Sequence, residues 1–249
     1  MKEQIILWFS SLALVFLIGY IKSVTSTNYP ITGTFGIEGK KVSYKLDKIS
    51  FEKNYYKNLI ISDINGIEAK LLIINNGEQT ELHYKKIDAG LECEIPTLKP
   101  GNKIDYKVLI NYNDETFEIP KNYFVTLTFW GNIPSPVNIL YFIFLYGGLL
   151  LSIRSLLEVF TKKINLKKFA VLTCTLFIVL NILISPLYLT YKLGAINRFV
   201  PPFSDLVNPL LLTLLTIWMI GTILIFNIKY IKTVTTIISA VTILIFFII

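Results

Sequence analysis

The residues best placed to do chemistry lie in one short polar segment, residues 190–209, between two long apolar stretches. Its candidate binding side chains are Tyr191, Lys192, Asn197, Arg198, Asp205 and Asn208. The Arg198 guanidinium would hold an anionic group, and the Asp205 carboxylate would act as a base or accept a hydrogen bond. Pro201-Pro202 stiffens the turn between these two charges. Function tends to lie in loops held by rigid elements, and the alternative is a segment that only connects and packs.

A second pair of charges, Arg154 and Glu158, lies four residues apart within an apolar stretch. Ionisable side chains inside a membrane span mark a functional site by default. Arg154 follows the predicted start of its span by about 16 residues, which is about 24 Å at ~1.5 Å per residue. At that depth a long side chain reaches the interface by snorkelling. The sequence therefore predicts a structural role for this pair.

The remaining polar side chains exclude several kinds of site. The single histidine, His83, lies in an alternating stretch with no second ligand at metal-binding spacing. Cys93 and Cys174 form no CxxC motif, and Cys174 lies in an apolar stretch, so no intrachain disulfide is expected. The nucleotide-binding loops GxGxxG and GxxxxGK(S/T) and the catalytic motifs GxSxG and HExxH are absent. We expect no catalytic set, no metal and no cofactor.

The distribution of charge argues against nucleic acid as a partner. The chain has 249 residues, is 53% hydrophobic and carries a formal net charge of +7. Between residues 22 and 136, 14 lysines balance 14 acidic residues. The excess positive charge therefore flanks the apolar stretches, where it sets membrane orientation. Nucleic-acid binding requires instead a basic patch on a folded face.

Five apolar stretches are long enough to cross a bilayer. We predict spans at residues 5–21, 138–160, 169–189, 206–226 and 233–249. Seven lysines flank the predicted cytoplasmic ends: Lys2, Lys162, Lys163, Lys167, Lys168, Lys229 and Lys232. Because cytoplasmic loops carry the excess of Lys and Arg, the N-terminus is predicted to be cytoplasmic. Residues 190–209, the outer loop, then share the extracytoplasmic side of the cell membrane with the soluble domain. The length of the first stretch favours an uncleaved anchor, and a cleaved signal peptide is the alternative.

The soluble domain reads as an antiparallel β-sandwich. Predicted strands, rich in Ile, Val, Tyr and Phe, lie at residues 40–46, 58–63, 68–74, 80–87, 103–112 and 123–129. About seven strands in about 110 residues, separated by turn-forming residues and without a helical period, indicate a sandwich. We therefore predict a mixed membrane protein in three parts. These are an anchor at residues 1–22, an extracytoplasmic sandwich at 23–136 and a four-helix transmembrane domain at 137–249.

One segment supports an immunoglobulin-like or fibronectin type III-like topology. The segment LKPGNKIDYKV, residues 98–108, resembles the fibronectin type III stretch before the penultimate strand, where a Leu-x-Pro-Gly turn precedes a tyrosine. In that family the tyrosine closes the corner by bonding back to the loop. The resemblance implies this role for Tyr106, although the spacing is about two residues longer than the usual pattern.

The layout as a whole resembles an uncharacterised prokaryotic family of integral membrane proteins, in which an exported β-sandwich follows the first span and precedes four more. The matching residues in the outer loop are Phe199, Pro202, Phe203, Asp205 and Leu206. A longer polar run follows the Asp-Leu pair in that family, and here only Asn208 remains of it. The resemblance implies no activity.

These observations favour a non-enzymatic accessory or assembly subunit. Its sandwich would bind another membrane or extracytoplasmic protein, and its spans would lie in the lipid bilayer. The alternative is a membrane enzyme or small-molecule binder with a site between the sandwich and the outer loop. Transport is disfavoured, because the spans show no internal repeat and almost no polar residues at midplane.

Overall fold

Long apolar runs make one part of the chain helical, and short alternating runs make the other part a β structure. The structure, a computed structural model, describes residues 2–51, 55–62, 64, 66–75, 77–88, 90–161, 165–195 and 203–248. A helical unit consists of Met1–Thr25, Ile133–Tyr191 and Ala195–Ile249. A β unit consists of Ser26–Asn132 and Lys192–Gly194. Each unit is described by itself.

The helical unit is built from apolar runs that satisfy their own backbone hydrogen bonds, as membrane spans must. Its helices are α1 Lys2–Thr25, α2 Ser135–Glu158, α3 Leu166–Val179, α4 Ser185–Lys192, α5 Phe203–Leu206, α6 Pro209–Asn227 and α7 Ile231–Ile248. Among the described residues, five helical stretches are long and apolar enough to cross a membrane, and each overlaps a predicted span. The prediction of five long apolar helices is therefore confirmed.

The third of these stretches is interrupted by a π-helical turn, Leu180–Ile184, between α3 and α4. Pro186 has no amide proton to donate to the carbonyl four residues earlier, so regular α-helical bonding fails here. The Asn181 carboxamide lies in the turn and donates to the carbonyls of Phe177 at 2.9 Å and Leu211 at 3.1 Å. It therefore links the turn to α6.

Close contacts between helices depend on small residues and on one buried hydrogen bond. A Cβ atom at Gly148 of α2 would lie 2.7 Å from Phe177 Cε1 of α3, so only glycine fits without movement of that ring. The buried Trp218 indole of α6 donates to Thr242 Oγ1 of α7 at 2.8 Å. Gly148 thus serves packing within this chain.

The β unit contains more strands than the sequence predicts. Its eleven described strands are β1 Ile31–Ile37, β2 Lys40–Leu46, β3 Ile49–Phe51, β4 Tyr55–Ser62, β5 Glu68–Asn75, β6 Glu78–His83, β7 Lys85–Ile87, β8 Gly90–Pro96, β9 Lys103–Tyr112, β10 Glu115–Ile119 and β11 Val125–Trp130. The prediction for residues 103–112 matches β9 at both ends. The prediction for residues 80–87 spans two short strands that are separated at Tyr84.

The strands form two sheets that share one hydrophobic core. The first sheet has the order β1-β2-β4-β8-β7, and the second has the order β3-β11-β9-β5-β6, with β10 also beside β9. All pairs are antiparallel except β3 with β11, so the second sheet is mixed rather than purely antiparallel. Val42 and Ile60 from the first sheet and Val108 and Leu127 from the second are buried in the same core. Alternating burial along β9 reflects the two-residue period of a strand.

Polar side chains meet where the chain crosses from one sheet to the other, at Asp47. The Tyr56 hydroxyl donates to the Asp47 carboxylate at 2.9 Å, and Lys45 Nζ lies 3.1 Å from the same carboxylate. The buried Tyr106 hydroxyl donates to the Asp47 carbonyl at 2.8 Å. Burial raises the pKa of both tyrosines, so both hydroxyls remain donors at neutral pH. The implied bond from Tyr106 to its own preceding loop is therefore wrong, because its partner lies 59 residues earlier.

Candidate functional site

Two of the six predicted binding residues, Asn197 and Arg198, lie outside the described residues. Asp205 is exposed in the short helix α5, and its carboxylate accepts a hydrogen bond from the Ser204 hydroxyl at 3.3 Å. The pairing of Arg198 with Asp205 and the binding of a ligand at the outer loop therefore stay predictions.

Asn208 has a structural partner in the helical unit. Its carboxamide oxygen accepts from the backbone N–H groups of Leu210 at 3.0 Å and Leu211 at 3.4 Å. Asn208 is thus the N-cap of α6, and Pro209 follows in the first turn, where a missing amide proton costs nothing. Its side-chain oxygen is occupied by these backbone donors, which gives Asn208 a structural role, and a binding role for it stays a prediction.

Lys192 belongs to the β unit together with the two residues that follow it, whereas the half-buried Tyr191 belongs to the helical unit. The Lys192 ammonium lies 3.8 Å from the centroid of the Trp130 ring, within the range of a cation–π interaction. The Lys192 carbonyl accepts from the Gly131 N–H at 2.8 Å. The aromatic ring and the backbone contact therefore hold Lys192 in place.

The strongest polar cluster lies inside the helical unit, around Arg154 and Glu158 of α2. Both side chains are 0% exposed, and Arg154 Nη1 lies 2.6 Å from Glu158 Oε2. Arg154 Nη2 also donates to Gln4 Oε1 of α1. Glu158 Oε1 accepts from the backbone N–H of Asn165 at 3.2 Å and from its carboxamide at 3.4 Å. The predicted snorkelling of Arg154 is therefore wrong, because neighbouring elements supply its partners inside the unit.

Two aromatic rings complete the surroundings of Arg154. Its Cζ atom lies 4.8 Å from the Phe169 centroid of α3 and 5.5 Å from the Trp8 centroid of α1. The two rings contact each other edge to face at 6.0 Å. A planar guanidinium suits such aromatic surroundings better than an ammonium does. The cluster thus joins α1, α2 and α3, and the charges of Arg154 and Glu158 pair with each other.

The β unit has one free sheet edge without protection, along β1. This strand pairs with β2 over all seven residues, and within the described part of the chain no strand pairs with its other side. Its residues Thr32, Thr34 and Gly36 are exposed. Its sequence, ITGTFGI, contains no charge and no proline. Such an edge presents a row of unpaired backbone N–H and C=O groups.

Two neighbouring cavities of the β unit lie beside this edge. One has a volume of about 560 Å³, and its lining includes Thr27, Asn28, Lys48, Lys103, Thr126 and Thr128. The other has a volume of about 500 Å³, and its lining includes Phe35, Tyr44, Phe117, Ile119, Pro120 and Lys121. Ile31 and Tyr123 line both, so the cavities adjoin. Each volume falls in the range of small-molecule sites.

The sulfur and imidazole groups of the β unit lie apart from these features. Burial, followed by the charge of Glu94, raises the pKa of the Cys93 thiol to about 11. Cys93 is therefore a protonated core residue at neutral pH, as its strand position suggests. His83 is exposed on β6. The described residues contain no group of three or more His, Cys, Asp or Glu side chains that could hold a metal ion.

Sequence reasoning missed the partners of Arg154 and the free edge. Gln4 and Trp8 are four residues apart, so they share one face of α1, which is a detectable signal. The β1 edge was missed because Gly33 and Gly36 weaken strand propensity.

No protein-family model matches the chain, and neither a curated protein nor a solved structure matches it. The resemblance to a prokaryotic family of membrane proteins therefore stays a prediction. Two of the residues that suggest it, Phe199 and Pro202, lie outside the described residues.

Proposed function

We propose that the protein is a membrane-anchored, non-enzymatic accessory or assembly subunit that binds a partner protein through its β unit. The observation that carries this proposal is the free edge of β1. We propose further that an extended segment of the partner adds to this edge as a sixth strand of the first sheet. Backbone hydrogen bonds would supply the affinity, as in other cases of strand addition.

The other outer strands support this assignment because each carries a feature that discourages pairing. β7 and β3 have three residues each, and β7 contains two lysines. β6 carries Glu78, Glu81 and His83, and β10, which pairs only with β9 among the described strands, carries Glu115 and Glu118. Charge and short length are the usual protections of an exposed edge. β1 is longer and has neither charge nor proline, which favours a partner strand beside it.

The strand order supports an immunoglobulin-like topology for the β unit. In the lettering of that fold, β2-β4-β8-β7 corresponds to A-B-E-D, and β3-β11-β9-β5-β6 corresponds to A′-G-F-C-C′. β1 is then an extra strand beside A. We propose that this strand extends the sheet toward the partner.

The buried cluster of the helical unit supports retention of α1 as an uncleaved anchor. Gln4 and Trp8 provide a hydrogen bond and an aromatic face to Arg154, which is fully buried. Loss of α1 would leave that charge with fewer partners in an apolar environment. We propose a multi-pass protein of the cell membrane with a cytoplasmic N-terminus, in which the positive-inside rule supports the orientation.

The test is site-specific photo-cross-linking in native membranes. A photo-reactive amino acid at Thr34 on β1 is compared with one at Thr80, an exposed residue on the edge strand β6. We expect a discrete cross-linked protein from position 34 only. A second substitution, Thr32→Lys, should abolish it by placing a charge on the edge. Equal products from both positions, or only monomer after purification in mild detergent, would refute the proposal.

A further inference from the structure

We infer that the β unit binds an anionic amphiphile, with its charged head in the cavity of Lys48 and Lys103 and its apolar part in the adjoining aromatic cavity. This inference goes beyond the proposed partner and does not rest on it. It concerns a small molecule with a phosphate or carboxylate head.

The polar cavity carries positive charge that the described residues leave uncompensated. Lys48 is half-buried and Lys103 is exposed, and neither has a carboxylate within ion-pair distance among the described residues. Four other lysines of this unit form ion pairs, for example Lys107 with Glu118 at 3.1 Å. Two unpaired ammonium groups that line one cavity attract an anion.

Uncharged donors surround these two lysines. Thr128 and Asn28, whose side chains can donate hydrogen bonds, line the same cavity. Thr126 also lines it, but its hydroxyl donates to Asp105 Oδ1 at 2.6 Å. Asp105, which accepts this bond, does not line the cavity. The lining therefore suits an acceptor-rich anionic group.

The adjoining cavity is suited to an apolar chain. Phe35 and Phe117 lie with ring centroids 5.7 Å apart, and Phe35 and Tyr44 lie 6.4 Å apart. The acidic residue in this lining, Glu118, is already paired with Lys107. The two cavities share Ile31 and Tyr123, so one molecule can occupy both. A ligand with a charged group at one end and an apolar chain at the other matches the polar cavity and the adjoining aromatic cavity.

A bilayer lipid and a soluble amphiphile both have this chemistry. Thr27 and Asn28 follow the last residue of α1, Thr25, by two and three positions. This closeness in sequence to the first apolar helix favours a lipid as the source. A soluble anion without a tail is the remaining source, and the experiment separates the three.

The experiment titrates the full chain in the neutral detergent dodecyl maltoside and counts bound molecules by native mass spectrometry. The probes are dihexanoyl-phosphatidylglycerol, dihexanoyl-phosphatidylcholine, glycerol 3-phosphate and inorganic phosphate. We expect one phosphatidylglycerol per chain and at least about tenfold weaker binding of each other probe. Each methylene removed from the tail should weaken binding about fourfold if it enters the cavity.

The variant Lys48→Gln with Lys103→Gln should bind phosphatidylglycerol at least about tenfold more weakly. The matched control is Lys41→Gln with Lys99→Gln, two exposed lysines of the same unit outside both linings. Circular dichroism confirms that both variants fold. Unchanged binding by the first variant, or equal binding of phosphatidylcholine, overturns the anionic head site. Equal binding of glycerol 3-phosphate or inorganic phosphate overturns the apolar site. Hexyl phosphate, a soluble amphiphile, serves as a competitor, and its displacement of phosphatidylglycerol at equal concentration would overturn a lipid as the source.

Discussion

Replacement of Glu158 by alanine tests the role of the buried ion pair most directly. The substitution leaves Arg154 charged and 0% exposed, with Gln4 as its remaining hydrogen-bond acceptor among the described residues. It also removes the acceptor for the backbone N–H and carboxamide of Asn165. Removing one partner of a buried pair typically costs about 3–5 kcal/mol. We therefore expect Glu158→Ala to lower the free energy of unfolding of the helical unit by about that amount.

Two opposing contributions set the size of this effect: the lost attraction between the two charges, and the contacts of Arg154 that persist. Two unit charges about 4 Å apart attract by about 4 kcal/mol at an effective dielectric constant of about 20. The cation–π contacts of Arg154 with Phe169 and Trp8 persist in the variant, and each contributes about 0.5–2 kcal/mol. These contacts limit the loss but cannot replace a carboxylate, so the expected change lies toward the middle of the range.

A double variant, Arg154→Met with Glu158→Leu, should recover most of the loss. It removes both charges and fills similar volumes, and such replacements are often neutral or stabilising. The assay is thermal unfolding of the full chain in dodecyl maltoside, followed by circular dichroism. The single variant should lower the midpoint by about 10 °C. Ser152→Ala is the matched control, because Ser152 is fully buried on the same helix and its hydroxyl has no partner among the described residues. A double variant as unstable as the single one would refute the reasoning.

Three further predictions concern single contacts. Asn208→Ala removes the N-cap of α6 and should cost about 1 kcal/mol, measured as a lower unfolding midpoint in detergent. Tyr106→Phe leaves the Asp47 carbonyl without its hydroxyl donor and should destabilise the β unit by about 1–3 kcal/mol, measured by denaturant unfolding. Because burial raises the pKa of Cys93 to about 11, its thiol should resist maleimide at pH 7.5. The stability linked to this raised pKa is present below the ordinary thiol value of 9.0 and is lost as pH rises toward 11.

The controls for these predictions use residues of the same type. Asn227→Ala removes a carboxamide that, within the described part of the chain, bonds to Ile223 of its own helix near the C-terminal end of α6, so it should change the midpoint less than Asn208→Ala. Tyr123→Phe alters an exposed tyrosine and should leave β-unit stability unchanged. Rapid labelling of native Cys93 at pH 7.5, when urea-unfolded chain reacts no faster, would contradict its burial.

The long apolar helices and the strands with the clearest alternation of apolar and polar residues could be predicted from local patterns alone. The alternation in KIDYKVLINY gave both ends of β9, because that strand packs one face against the core along its length. β1 escaped prediction because Gly33 and Gly36 weaken the local signal. It is held by the adjacent strand β2, with which it forms a hairpin that pairs all seven of its residues.

The error at Arg154 has a different origin. Depth along a helix can be counted from the sequence, but the neighbours at that depth cannot. Gln4 lies 150 residues before Arg154 and still provides one of its hydrogen-bond acceptors. For the same reason, Asn208 could be recognised as polar and near a helix start, yet its use as a cap depends on the backbone that follows. The outer loop remains a prediction because its central residues lie outside the described part.

The parallel pairing of β3 with β11 has a consequence for when the β unit can fold during synthesis. Ile49 pairs with Thr128, about 80 residues later, so the second sheet cannot close until nearly all of the β unit has been synthesised. Contacts so distant in sequence slow folding and leave edges exposed meanwhile. β11 ends at Trp130 and α2 begins at Ser135, so the last strand is completed just before synthesis of α2 begins. Closure of the sheet therefore becomes possible only as α2 is being made.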